Sequence, residues 1–448
     1  MKKYPAYKPS GIDWLGDIPE GWVVKKIKYL AEGDDSIFTD GDWIESDNIV
    51  LDKCQIRYIT TGNIGKGKYK EQGSSYITEE TFKKLNCTEI FTGDLLISRL
   101  NPPLGRCCIV PDLKTRIVTS VDNVVLRPHE TYIKRFLLYA MSNTKYFEFT
   151  ALIARGATMQ RISRGLLGNV PLAIGTKTEQ KQIAAFLDKK TAQIDTLIEK
   201  KQKMMELLKE KRSAIINHAV TKGLNPNAKM KDSGIEWLGD IPEHWDIFKI
   251  AHLSDKITNG YVGPTRNILV DKGAKYIQSL HIKKGTIDFH KPYYVTQEWS
   301  EKHKRSELKK DDLLIVQTGA IGEVAIVPAS FEGANCHALI LLQTKPKYDS
   351  KFIFRSLTSH YGNNKLLSVK TGALHPHLNS TYVKDIKLCV PPYAEQQQNA
   401  SFLDKKTAQI DNFVEITNKQ IALLKEYRTA LISEVVTGKI DVTDEVTA

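Results

Sequence analysis

KPSGIDWLGDIPEGW (Lys8–Trp22) returns as KDSGIEWLGDIPEHW (Lys231–Trp245), with 12 of 15 positions identical. A second block, FLDKKTAQID, stands verbatim at Phe186–Asp195 and at Phe402–Asp411. The first block recurs after 223 residues and the second after 216, so the second half is seven residues shorter between them. The ends of each half match while the middles diverge. That is the pattern of a shared frame carrying two different working parts, and it implies a molecule that touches something at two spaced places.

The middles carry mixed α/β signals. Cys54–Thr61 (CQIRYITT) and Lys275–Leu280 (KYIQSL) predict strands. So do Asp94–Ser98 (DLLIS) and Asp312–Gln317 (DLLIVQ), each followed by a turn and a second apolar run, Cys107–Pro111 or Val324–Pro328. The shared register implies one fold used twice. Tyr132–Phe149 and Lys351–Tyr361 predict helices. Trp14, Trp22, Trp237 and Trp245 sit in the repeated opening strip, and identical residues in both halves suit a shared docking task better than two different readings.

The tails differ from the middles. From Thr178 to Val220 the chain has no Gly or Pro. Leu187, Ile194, Lys201, Leu208 and Ile215 recur every seven residues, with Thr191, Ile198, Met205, Arg212 and Ala219 four beyond them. The second tail repeats the phase, with Leu403, Ile410, Thr417, Leu424 and Leu431 on one track and Thr407, Val414, Ile421, Arg428 and Val435 on the other. The polar interruptions fall at equivalent places. Two matching helices in one chain pack most simply on each other, antiparallel, about a pseudo-twofold axis. The expected segments are a first globular domain at 1–178, a spacer helix at 179–223, a second domain at 224–393, a second helix at 394–440 and a tail at 441–448. Helices of this length reach beyond the ~34–36 Å of one turn of B-DNA at about 1.5 Å per residue.

Lys and Arg number 64 against 52 Asp and Glu, for a net charge of +12. Nucleic acid heads the partners that such a balance favours. The six cysteines form no Cys-x-x-Cys pair and fit buried thiols of a reducing, cytoplasmic compartment. The opening MKKYPAYKPSG lacks an apolar stretch, so no secretory leader is expected. No run of 18 apolar residues predicts a membrane span.

Several loops have DNA-reading chemistry. Arg99 and Arg106 flank the turn LNPPLG, and Arg155, Gln160, Arg161 and Arg164 come from ARGATMQRISRG. Arginine forks match guanine edges, and amides match adenine. In the second half the counterparts are Gln317 and Thr318 before the turn TGAIG, and His375 and His377 in KTGALHPHL. Candidate phosphate contacts are Lys66, Lys68 and Lys70 in GKGKYK, then Lys283, Lys284, Lys302, Lys304, Arg305 and Lys370. Two histidines astride a proline, with no carboxylate or thiol close in sequence, make a poor metal site, and none is expected. Asn101–Leu104 (NPPL) imitates an adenine methyltransferase signature but has Leu104 where a stacking ring belongs. No phosphate-cradling or hydrolase motif appears. The competing readings are a methyltransferase or nuclease of unfamiliar type, and a scaffold that binds only proteins.

GIDWLGDIPEGW and GIEWLGDIPEHW carry a resemblance to a known family. It is extended by VPLAIGTKTEQKQIAAFLDKKTAQID at Val170–Asp195, VPPYAEQQQNASFLDKKTAQID at Val390–Asp411, and the closing segments Leu207–Gly223 and Leu423–Lys439. The chain resembles the DNA-specificity subunit of type I restriction-modification systems over essentially its full length. The resemblance implies two target-recognition domains that each read one half of a split DNA target, and two helices that set the gap. It implies a chain without catalytic residues, cofactor or metal. The implied partners are two modification subunits that use S-adenosylmethionine to methylate adenine, and two restriction subunits that use ATP and Mg2+.

Overall fold

The Leu95–Ser98 and Leu313–Val316 strands are buried along their whole length, which explains their unbroken apolar runs: both faces of the sheet are covered. In a strand successive side chains point to opposite faces. Leu313 and Ile315 accordingly enter one core with Trp245, Phe352 and Leu403, while Leu314 and Val316 enter another with Ile277 and Cys336. The computed structural model describes residues 2–52, 55–372 and 374–446. Cys54 and Ala373, placed by the sequence in a strand and in a reading loop, lie outside them.

The chain forms two compact units. One comprises Met1–Lys201 with Lys419–Ala448, the other Gln202–Asn418. In the first, a four-stranded antiparallel sheet runs in the order Ile37–Asp40, Asn123–Arg127, Leu95–Ser98, Cys107–Ile109. A second sheet pairs Ile56–Ile59 in parallel with Arg116–Thr119. In the second unit the corresponding order is Ser254–Asn259, Leu339–Thr344, Leu313–Val316, Val324–Ile326, and Ala274–Ile277 pairs in parallel with Asn335–Cys336. One architecture thus occurs twice, as the register of the two DLLI runs required.

Each expected helix of the middles is two helices. Lys134–Ala140 is followed by Thr144–Leu152, and Ser350–Thr358 by His360–Ser368. The break has the same cause in both. Asn143 accepts from the Tyr146 amide (3.0 Å) and donates to the Ala140 carbonyl (2.7 Å). Ser359 accepts from the Gly362 amide (3.1 Å) and donates to the Ser356 carbonyl (2.7 Å). A short polar side chain that caps a new helix start ends the previous one.

Two long helices, Lys177–Thr221 and Tyr393–Val436, have 45 and 44 residues. Every residue of the predicted heptad tracks is buried or half-buried. This holds for Leu187, Ile194, Ile198, Met205, Leu208 and Ile215, and for Leu403, Ile410, Val414, Ile421, Leu424 and Leu431. The helices pair antiparallel within each unit. In the first, Arg428 donates to Asp195 (3.1 Å) and Lys201 to Gln420 (2.7 Å). In the second, Arg212 donates to Asp411 (2.9 Å) and Asn399 to the Ala219 carbonyl (3.2 Å). The arginines that interrupt the heptads are therefore matched by the last Asp of each FLDKKTAQID block.

The repeated blocks fasten each middle to its helices. Trp22 is fully buried, and its indole N–H donates to Glu179 in the first turn of one long helix (2.9 Å); Trp245 does the same to Glu395 of the other (3.1 Å). Gln180 accepts from the Ile133 amide and Gln396 from the Asp349 amide, both at 2.8 Å. Asp188 accepts from Arg135 and Tyr139, and Asp404 from Arg355 and Lys351. The opposite ends of the helices close on the same strips. Gly438 (φ 72°) leaves no room for a Cβ against Pro19, and Gly223 (φ 76°) lies against Trp245. Trp14 stacks on Phe149 at 5.7 Å. Trp237, expected as an anchor, is 70% exposed. Its left-handed backbone (φ 74°) leaves the ring in solvent beneath Lys365.

Trp22→Ala should destabilise the chain by about 3–5 kcal/mol, through lost packing and an orphaned Glu179. Trp237→Ala should stay within about 0.5 kcal/mol. Urea unfolding of both variants checks the contrast.

Candidate nucleic-acid interface

A small hairpin is built the same way in each unit. Arg155 and Arg161 exchange two backbone hydrogen bonds (2.9 and 2.8 Å), and Lys370–Thr371 pairs with His377–Leu378. Gly156 (φ 100°) and Gly372 (φ 91°) open the two loops. A Cβ at Gly156 would come within 2.5 Å of the Met159 carbonyl, and at Gly372 within 2.5 Å of the His375 carbonyl. Only glycine fits. Each hairpin is joined to its sheet by an equivalent backbone bond. The Ile162 amide donates to the Arg99 carbonyl, and the Leu378 amide to the Gln317 carbonyl, both at 3.0 Å.

The side chains beneath differ. In the first unit Arg99, 6% exposed, lies 3.3 Å from Asp40 and donates to the Val121 carbonyl. Burial pushes its guanidinium below the usual range, and Asp40 opposes that. Arg164 also reaches Asp40 (3.5 Å), and Arg161 pairs with Asp122 (2.6 Å). In the second unit Gln317, 9% exposed, donates to Asn259 and to the Leu378 carbonyl, both at 3.1 Å. An ion pair in one unit thus stands where an amide pair stands in the other. A partial exchange occurs at a second place, where the carboxylate is kept and only its partner changes. Asp94 takes two bonds from Arg127 (2.9 and 2.7 Å), while Asp312 takes one from Gln343 (3.0 Å).

Arg106 gathers the first unit's loops. Its donors go to the carbonyls of Ile64 (2.8 Å), Thr61 (3.0 Å), Leu100 (2.9 Å) and Asn101 (2.6 Å). Asn101 in turn donates its amide to the Gln160 carbonyl (3.2 Å). The lysine turn, the LNPPLG turn and the Arg155–Arg161 hairpin therefore converge. In the lysine turn the Gly65 amide donates to the Lys68 carbonyl (2.9 Å), and Lys66, Lys68 and Lys70 are all exposed. Leu104 of the NPPL tetrapeptide is buried in the core.

These contacts sort the expected residues. Arg99, Arg106 and Gln317 were expected at base edges, but their side chains are turned inward: Arg106 and Gln317 spend their donors on protein oxygens, and Arg99 faces Asp40 and the Val121 carbonyl, so they hold the loops in place. Arg155, Gln160, Arg161 and Arg164 are exposed on or beside the first hairpin. Thr318, His375, His377 and Lys370 are exposed in the second unit. Lys283 and Lys284 form a turn matching the lysine turn, and Lys284 adopts φ 51°. Lys283 also pairs with Asp288 (3.4 Å), Lys302 with Glu298 (2.6 Å), and Arg305 donates to Thr258 (2.9 Å). Lys304 is exposed. Sequence reasoning missed Trp43, 70% exposed, and Val262, 71% exposed, which follow Gly-Asp and Gly-Tyr at matching strand ends. The signal available was a glycine ending a strand with an apolar residue two positions on. No group of three or more His, Cys, Asp or Glu suited to a metal ion occurs among the described residues. No helix among them is long and apolar enough to cross a membrane.

A family model described as the type I restriction modification DNA specificity domain matches residues 19–207 and again 242–426. The chain belongs to that family, and its role is that of a DNA sequence-specificity subunit. It is 24% identical over 435 residues to the putative type I restriction enzyme MjaX specificity subunit of Methanocaldococcus jannaschii, covering 96% of each chain. It is 21% identical over 445 residues to the type I restriction enzyme EcoKI specificity subunit of Escherichia coli K12, covering 95% of this chain and 90% of that one. Two solved structures share its fold at 14% identity. One, described as the structural basis underlying complex assembly and conformational transition of the type I R-M system, gives a TM-score of 0.71 over 94% of this chain and 99% of that one. The other, the HsdS subunit from Thermoanaerobacter tengcongensis, gives 0.58 over 94% and 98%.

Arg99→Gln alone should destabilise the first unit, because Asp40 loses its buried partner. Adding Asp40→Asn recreates the second unit's amide pair and should recover part of the loss, with a coupling of about 1–2 kcal/mol in a double-mutant cycle. Simple additivity in chemical denaturation would contradict the equivalence of the two pairs.

Proposed function

We propose that each unit reads one half of an asymmetric, two-part duplex target, and that the long helices set the gap. The reading rests on one observation: the same hairpin frame occurs in both units with different exposed side chains. Arg155, Gln160, Arg161 and Arg164 would take base edges in one half, and Thr318, His375 and His377 in the other. Lys66, Lys68 and Lys70, then Lys283, Lys284, Lys302, Lys304, Arg305 and Lys370, would take phosphates. Arg99, Arg106 and Gln317 position the loops instead of contacting bases. The globular readers correspond to 1–178 and 224–393, and the spacers to 179–223 and 394–440.

The partners of this reading are duplex DNA, two modification subunits and two restriction subunits. Methylation with S-adenosylmethionine, and DNA translocation and cleavage with ATP and Mg2+, would belong to those subunits, while this chain supplies the address. A docking face is available on the helices away from their shared seam. Leu197, Leu423 and Tyr427 are exposed in the first unit, and Met204, Leu207, Phe413 and Ile416 in the second. These residues recur at helical spacing, as an apolar stripe for a partner requires.

The assembled methyltransferase should protect two short tracts of its target from nuclease. Within that complex, Arg155→Ala should cost about 1–3 kcal/mol on the target and little on other DNA. Lys68→Ala should weaken binding to all DNA and lower the salt slope by about 1. Equal losses on every sequence for both variants would contradict the division into base and phosphate contacts.

One heptad inserted into Thr191–Lys211 alone should break the Arg428–Asp195 and Arg212–Asp411 matches and destabilise the helices. Equal insertions in both helices should restore folding and lengthen the gap between methylated positions, mapped at single-base resolution. An unchanged gap in a folded double insertion would remove the spacer role.

A further inference from the structure

Trp43 is a large aromatic side chain in solvent, yet its backbone is fixed. Gly41 donates to the Asn123 carbonyl (2.8 Å), Asp42 to the Thr119 carbonyl (2.9 Å), and Val121 returns a bond to the Asp42 carbonyl (2.9 Å). The Asp42 carboxylate accepts from the Thr88 amide (3.0 Å). A Cβ on Gly41 would lie 2.4 Å from the Ser120 carbonyl, so the strand end is pressed against the 119–123 turn. On the far side of Trp43, Ile44 packs into the core with Ile56, Tyr58 and Val118. The indole is therefore presented by residues tied down before and after it.

The second unit repeats the mounting with a different residue. Gly260 donates to the Leu339 carbonyl (2.7 Å), Tyr261 to the Cys336 carbonyl (2.9 Å), and Ala338 returns a bond to the Tyr261 carbonyl (2.9 Å). A Cβ on Gly260 would lie 2.6 Å from the Cys336 carbonyl. Val262 then stands in solvent where Trp43 stands in the first unit. The residue before it has changed from Asp42 to Tyr261, which packs on Trp299, His303 and His337. What both units keep is an exposed apolar side chain on a rigid mount.

The mount is continuous with the reading hairpin. The 119–123 turn that holds the Trp43 segment also accepts Arg99 on its Val121 carbonyl and pairs Arg161 with Asp122. In the second unit Asn259, three residues before Val262, is the partner of Gln317 beneath the hairpin. A single exposed apolar residue is ordinary on a protein surface. Two at matching positions, each rigidly held beside a base-reading loop, are not explained by chance exposure.

We propose that Trp43 and Val262 are wedges that enter the DNA stack beside each half of the target. This rests on the reading of each unit as a DNA reader. Apolar side chains inserted at a base step unstack it and kink the duplex, and sequence-dependent stacking then adds specificity at a step that no hydrogen bond reads. Trp43 offers a planar face that replaces lost stacking. Val262 offers only a small apolar volume. The two halves of the target are therefore distorted to different degrees, with the larger opening in the half read by the first unit.

The test uses the complex of this chain with its methyltransferase partner and a duplex carrying the mapped target. 2-Aminopurine is placed in turn at each step of the two halves. The wild-type complex should raise its fluorescence at one step of the first half. Trp43→Phe should retain most of that rise, and Trp43→Ala should lose it. Trp43→Ala should also bind target at least tenfold more weakly while binding mixed-sequence duplex within twofold of wild type. Val262→Trp should create a larger signal in the second half. An unchanged signal and affinity in Trp43→Ala would overturn the wedge, as would failure of that variant to assemble with the methyltransferase, which would place a protein over Trp43. A wild-type complex with no preference for the mapped target would overturn the DNA-reading role itself.

Discussion

The buried indole N–H of Trp22 reaches a carboxylate in the first turn of a long helix, and Trp245 repeats the contact with Glu395. An unpaired indole or carboxylate in such a place would cost about 1–3 kcal/mol. The geometry therefore locks each globular middle to its helices at one angle. Gln180, Asp188 and Thr191 extend the lock on one side, as do Gln396, Asp404 and Thr407 on the other. This is why the IPEGW and FLDKKTAQID blocks hardly differ between halves. The first meets Glu179 or Glu395 at the start of a long helix and the second meets Arg135 and Tyr139, or Lys351 and Arg355, so a change in either block strands its partner.

Away from the joint the constraint relaxes, and the two units use different chemistry on one backbone. Arg99 and Asp40 become Gln317 and Asn259; Arg127 and Asp94 become Gln343 and Asp312. A buried ion pair gains Coulomb energy but carries a desolvation cost for both charges, so a matched amide pair serves as well. At the first place both partners differ together, whereas at the second the carboxylate is kept and Gln343 alone takes the place of Arg127. The hairpins above differ still more between the units, because most of their side chains are exposed. Backbone bonds and two glycines hold their shape, leaving Arg155–Arg161 and Thr371–His377 free to differ in side chain.

Much of this was legible in the chain. The heptad tracks marked the packed faces of both long helices, because burial at every seventh position leaves a period that local sequence carries. The DLLI runs marked the central strands, since a strand covered on both faces has no room for polar alternation. Asn143 and Ser359 were harder to read, because a polar residue inside a helical pattern signals a cap only when its neighbours are free to bond it. Arg99, Arg106 and Gln317 had the chemistry of base readers, and nothing in their neighbouring residues showed that protein oxygens up to 61 positions away would draw them inward. Trp43 was passed over for the opposite reason, since an aromatic residue beside a strand usually turns inward.

By itself the sequence determined the duplication, the mixed α/β middles, the paired helices and the family. These follow from repeats and periodicities written in local order. Tertiary structure alone decided which end of which helix closes each unit. Gly438, near the end of the chain, packs on Pro19, and the Arg428–Asp195 contact spans 233 positions. It also decided which cations are spent inside and which remain for a ligand. A side chain's role in recognition depends on whether its hydrogen bonds are already satisfied, and those partners are assembled only by the fold.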